Sequence, residues 1–181
     1  MKTNIFYLFT ILFLFACNSE ENPNDELFDK LSGSTLECPQ NLQNVNDTLE
    51  NIDVFFNKPV KIISNVFFGC GDCIADLIAL DDFVKSFNSN KIALIVYGST
   101  DRSNTGIYTF LKIKPDFKYP IFSDTSNVFI SKNKLPEENM AFHTFLVDKN
   151  DSIRVIGSPV LNEKIKDLYK KEIEKILQNR I

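Results

Sequence analysis

Val66-Phe67-Phe68-Gly69-Cys70-Gly71-Asp72-Cys73 is the stretch on which the fold turns. Upstream, residues 60–68 are β-branched, aromatic and mostly apolar, which predicts a buried strand. Gly69 breaks it. Downstream, residues 74–87 carry apolar side chains at 74, 77, 78, 80, 84 and 87, the spacing of an amphipathic helix. The Cys-x-x-Cys therefore sits between a strand and a helix. A helix N-terminus presents unpaired N–H groups and about half a positive charge, which favours a thiolate there. The thiolate is the form that attacks a disulfide. A second cysteine one turn on is placed to close the ring, so Cys70 reads as the nucleophile and Cys73 as the resolving thiol.

Working outward, the apolar run at 91–97 has the length of a central strand covered on both faces. Strand, helix and strand in that order imply a right-handed parallel crossover. A short helix is expected at 47–57, stopped by Lys58-Pro59, and a weaker one at 103–112. A short strand is expected at 119–122, and 123–139 reads as polar and irregular. Residues 142–147 and 152–156 form an antiparallel hairpin around the turn at 148–151. A clean apolar stripe from 161 to 177 closes the chain as a helix. The prediction is an α/β fold: a mixed sheet flanked by helices, with a parallel crossover and a C-terminal antiparallel hairpin plus helix.

The N-terminus reads as an address. One positive charge at Lys2 precedes the apolar run 5–16, too short for a comfortable transmembrane helix and right for a signal-peptide core. Leu14-Phe15-Ala16-Cys17, followed abruptly by polar residues, resembles a bacterial lipoprotein signal, which implies cleavage after Ala16 and acylation (palmitate included) of Cys17. Residues 1–16 are then a signal peptide, 17–34 a polar, acidic, lipid-anchored tether, and 35–181 the folded domain. The expected location is the cell envelope, lipid-anchored to a bacterial membrane, with the outer membrane, periplasmic or surface-facing, the preferred one. That compartment permits disulfides, and Cys38, Cys70 and Cys73 remain as thiols. The chain of 181 residues has 20 Lys+Arg against 24 Asp+Glu, net −4. With no basic block, this argues against a nucleic-acid partner.

Two separated motifs carry a resemblance. Residues 66–73, and Thr144-Phe145-Leu146-Val147-Asp148 with its turn, make the segment from about 45 to 179 resemble a thioredoxin-fold domain. It is most similar to the membrane-tethered, TlpA-like thiol–disulfide oxidoreductases of bacterial envelopes. The resemblance implies an oxidoreductase acting on protein thiols or disulfides of the envelope, with no cofactor, and with Gly71, Asp72, Phe142 and His143 as the docking surface beside the pair. Three departures bear on this. Gly69 replaces the usual Trp. Phe142 stands where the family has a cis-Pro, so a trans bond or a shifted loop is expected. The family's buried acid falls near Ser64 or Asn65, neither of which is acidic.

Other readings stay open. The pair could be a structural disulfide in a non-catalytic binding lipoprotein. Cys70, Cys73 and His143 together resemble the soft ligand set of Sco-type copper chaperones, although those space the cysteines by three. No second Cys-x-x-Cys or His pair supports a zinc site. Asp72 is favoured at a helix start yet opposes a thiolate at Cys70. Cys38 reads as a free or buried thiol, or as a trap for a mixed disulfide with Cys70.

Overall fold

The computed structural model describes residues 23–100 and 103–178. The expected signal peptide (1–16), the lipidation residue Cys17 and tether residues 17–22 lie outside the described residues. Among the described residues no helix is long and apolar enough to cross a membrane.

A five-stranded sheet organises the molecule, in the order β3-β2-β1-β4-β5. The strands are β1 (Val60–Phe67), β2 (Ile92–Ser99), β3 (Ile121–Ser123), β4 (Thr144–Asp148) and β5 (Ile153–Ile156). β1, β2 and β3 are parallel, and β4 and β5 run antiparallel. β1 and β2 are buried along all but their last residue, as strands covered on both faces must be. Helix α3 (Gly71–Lys85) crosses from β1 to β2, and α4 (Thr105–Ile113) from β2 to β3. The terminal helix α6 (Glu163–Gln178) closes the order. This is the mixed, helix-flanked α/β sheet that the sequence predicts.

Alternation along the strands divides the core in two. Ile62, Val66, Leu94, Val96 and Leu146 pack on one face with Leu77 and Leu80 of α3, Ile107 and Phe110 of α4, and Tyr169 and Ile173 of α6. Ile63, Ile95, Tyr97, Phe145 and Val147 pack on the other, against Phe129 and Ile130 of helix α5 (Val128–Asn133). Tyr97 is stacked on Phe129 with ring centroids 4.6 Å apart. Each face thus has its own apolar cover, and the end of β1 is where the two covers meet.

Three local differences from the sequence reading have physical causes. Residues 23–34, read as the second half of a tether, hold helix α1 (Pro23–Leu31). Leu31 is buried, Leu27 packs on the α5-side core, and Gly33 and Ser34 exchange backbone bonds with Ile153. The acidic composition conceals that apolar spacing. The helix expected at 47–57 shortens to α2 (Asp53–Phe56). Asn46, itself buried, donates to the carbonyls of Phe117 and Tyr119 and accepts from Thr48, which holds the start of that segment in a tertiary contact. Residues 123–139 contain α5, whose first N–H groups are taken by the fully buried Asp124: Val128 at 2.7 Å and Phe129 at 2.8 Å. Met140–Phe142 form a 3-10 turn, and the strand expected from 142 begins at Thr144.

Candidate active site

Cys70 is the N-cap of α3, with extended φ −114° and ψ 121°. Its Sγ accepts the backbone N–H of Cys73 at 3.2 Å, satisfying one of the orphan donors of the helix start. Both thiols are half-buried and neither is in a disulfide. Their environments pull them apart. Hydrogen bonds from the Cys73 thiol and backbone N–H, and from the Asp72 N–H, hold the Cys70 thiol below its ordinary value, against partial desolvation and the Asp72 charge. Burial, then the hydrogen bond and negative charge shared with Cys70, push Cys73 up to about 12. A thiolate favoured at the helix tip and a thiol kept protonated one turn deeper suit attack followed by resolution.

Asp72 acts on Cys70 in both directions, through its N–H downward and through its carboxylate upward. The preceding turn explains the missing Trp. A Cβ at Gly69 would stand 2.6 Å from the Phe67 ring, so the Phe67 ring occupies the space where a side chain at 69 would start. Behind this turn, a Cβ at Gly106 of α4 would meet the Phe68 carbonyl oxygen at 2.5 Å. Only a glycine there lets α4 press on the loop that carries the cysteines.

A pocket of about 120 Å³ opens beside Cys73, walled by Asp72, Asp76, Ser64, Thr144, Met140 and Leu161, among others. Met140 and Leu161 are exposed apolar side chains at its mouth. Asp76 is raised above its ordinary value by burial and then by the Asp72 charge.

The two candidate docking residues on the opposite wall fall differently from the sequence reading. Phe142 is buried in the α5-side core. The described peptide bonds are all trans. The N–H groups of 141, 142 and 143 are spent inside the turn, on Asn139 Oδ1, the Asn139 carbonyl and the Met140 carbonyl. A bound peptide therefore finds no free N–H at these three residues. His143 borders the pocket, but its Nε2 is 3.0 Å from the Pro136 carbonyl, on the α5 side, and burial lowers its pKa. Asn65, next to Ser64 on β1, borders both this pocket and a second one with Asn127, Ile130 and His143. Among the described residues no three His, Cys, Asp or Glu side chains converge closely enough to hold a metal ion. The copper reading through Cys70, Cys73 and His143 therefore lacks a joint site: the imidazole is tied to the far side of the sheet end.

Cys38 packs on the α5-side core, where burial and the Asp151 charge push it to about 12. That is the face opposite to α3, and it does not bring Cys38 to the pair. Sequence reasoning passed over the Ser64–Thr144 contact. It was legible only once the register of β1 and β4 was known, because the two residues are far apart in sequence.

No family model matches the chain, and no curated protein sequence does. Solved structures do match in shape. The chain is similar to the thioredoxin domain of a thiol-disulfide oxidoreductase from Bacteroides vulgatus, with a TM-score of 0.54 and 16% identity over 80% of this chain and 97% of that one. It is similar to a protein from Bacteroides thetaiotaomicron assigned as a protein disulfide isomerase, with a TM-score of 0.57 and 18% identity over 82% and 91%. A protein from Neisseria meningitidis assigned as a thioredoxin gives 0.55 and 13% over 81% and 93%. At these identities the likeness establishes the thioredoxin fold.

Proposed function

We propose that this chain is a thiol–disulfide oxidoreductase of the cell envelope, with Cys70 as nucleophile and Cys73 as resolving thiol. The observation that carries this is the geometry of the pair: Cys70 is the N-cap of α3, its Sγ accepts the Cys73 N–H at 3.2 Å, and Cys73 lies one turn on beside an open pocket. In the reducing direction, the Cys70 thiolate attacks a partner disulfide and one partner sulfur leaves as thiolate. Cys73 then attacks Cys70, the second partner sulfur leaves, and Cys70–Cys73 is oxidised by two electrons. The reverse sequence oxidises a partner dithiol.

The partners are protein thiols or disulfides. The acidic residues Asp72 and Asp76 and the apolar Met140 and Leu161 at the pocket suit segments in which the reactive cysteine is flanked by basic and apolar side chains. The location rests on the sequence of residues 1–17: export, then acylation of Cys17, which holds the domain at a membrane without a spanning helix.

Trapping tests the reading. Cys73→Ser in a Cys38→Ser background should accumulate a stable mixed disulfide at Cys70 with a cysteine peptide disulfide, and Cys70→Ser should accumulate none. Equal trapping at both positions, or at neither, would contradict the assignment.

A further inference from the structure

Ser64 and Thr144 are register partners across β1 and β4. Their hydroxyl oxygens are 3.0 Å apart, and both residues are buried, at 4% and 6% exposure. Both line the pocket that Cys73 lines, on the α3 side of the sheet. Two hydroxyls carry two protons. Their mutual hydrogen bond uses one, and neither hydroxyl has another partner among the described residues. One buried O–H is therefore unspent in the wall of a pocket that also contains the resolving sulfur. A buried donor without an acceptor is costly, and a thiolate at Cys73 is the acceptor the resolving step creates.

We propose that the Ser64–Thr144 hydroxyl pair stabilises the Cys73 thiolate during resolution, by donating its spare O–H to Sγ through one pocket water. The pocket has room for such a water. This inference rests on the dithiol reading above. Resolution begins with Cys70 joined to a partner sulfur. Cys73 gives its proton to solvent, and its thiolate attacks the Cys70 Sγ. The Cys70–Cys73 bond forms and the Cys70–partner bond breaks. The partner leaves as a thiolate and takes a proton back from solvent. Cys73 is oxidised and the partner sulfur reduced. In this state Cys70 carries no charge to repel Cys73, but the burial that raises Cys73 persists. A hydroxyl donor offsets that burial without titrating itself. The titratable groups that line the pocket with Cys73 are Asp72 and Asp76 from α3 and His143, whose Nε2 is held by the Pro136 carbonyl. Neither strand offers a carboxylate beneath Cys73, so Ser64 and Thr144 are positioning residues for that step.

The test follows one thiol. In Cys38→Ser protein, Cys70 is charged with thionitrobenzoate from Ellman's reagent. Release of the second thionitrobenzoate, as Cys73 closes the ring, is timed across pH. The double variant Ser64→Ala/Thr144→Val, which leaves no O–H in this wall, should move the midpoint of the rate profile to higher pH, slowing release about tenfold at neutral pH, while the rate at high pH stays as in the parent. Ser64→Ala and Thr144→Val alone, each of which leaves one O–H free to donate, should keep the midpoint near that of the parent. A structural role alone would alter unfolding but leave the midpoint in place. A midpoint unchanged in the double variant, or in Ser64→Ala/Thr144→Ala should the first fail to fold, overturns the inference. A parent protein that never releases the second equivalent overturns the dithiol reading, and this inference with it.

Discussion

The Cys73 backbone N–H points at the Cys70 Sγ from 3.2 Å away, across a single turn of α3. Four features of the chain create that relationship. A buried strand ends at Phe67. Gly69 follows, with the Phe67 ring lying over the place where a side chain would start. Cys70 adopts the extended backbone of an N-cap, and the helix begins at once. The first free N–H groups of the helix have a sulfur rather than water to serve.

Alkylation should follow the order this sets. At neutral pH iodoacetamide should modify Cys70 first, with a rate midpoint below the ordinary thiol value of 9.0. Cys73 and Cys38, both pushed to about 12, should label only after denaturation. Mass mapping of the labelled peptides reads the order directly, and early labelling of Cys73 would reverse the assigned roles.

Asp72→Asn should make Cys70 more acidic. The substitution removes the carboxylate that raises Cys70 and keeps the N–H that lowers it. Alkylation below neutral pH should quicken and the dithiol form should be stabilised, moving the couple to a more oxidising potential. Slower alkylation would mean that the Asp72 side chain acts by ordering the helix start rather than by its charge.

Lys61 anchors the far end of β1. Fully buried, it donates to the carbonyls of Phe56 and Lys149, each at 3.2 Å, and pairs with Asp151 at 3.0 Å. Lys61→Met strands those acceptors and should cost about 3 kcal/mol, lowering Tm by roughly 10 °C. Cys70 alkylation should be unchanged in the folded variant, because Lys61 belongs to the opposite sheet face.

Asp148 gives the β4–β5 turn its acid sensitivity. Burial works against its charge. Hydrogen bonds from Arg154 and from the N–H groups of Asn150 and Ser152 outweigh it and hold the carboxyl below its ordinary value. The folded value is the lower one, so the carboxylate stabilises the fold above the ordinary value, near 3.8. That contribution fades as pH falls through the folded value. Urea midpoints of the parent should therefore drop across that acid range by more than those of Asp148→Asn.

Much of this was readable in the chain. Hydrophobic period and the Cys-x-x-Cys placement gave the strands β1 and β2, the crossover helix and the position of the two cysteines at its start, because those signals are local. What escaped was tertiary. Asn46 spends its side chain on carbonyls more than seventy residues away, which shortens a helix that periodicity favours. Asp124 caps a helix inside a stretch whose composition looks irregular. His143 follows the chain to the pocket, but the Pro136 carbonyl draws its ring to the other side, and no sequence pattern encodes that choice. Ser64 and Thr144 meet only through the β1–β4 register.

The measurement that bears most directly on the central claim is the reduction potential of the Cys70–Cys73 pair in the Cys38→Ser protein, equilibrated in glutathione and dithiothreitol buffers. The account predicts a value in the range of exchange proteins, roughly −120 to −270 mV, with its position indicating the direction of electron flow. A bond that stays closed below about −300 mV would contradict it and leave a thioredoxin scaffold stapled by a structural disulfide.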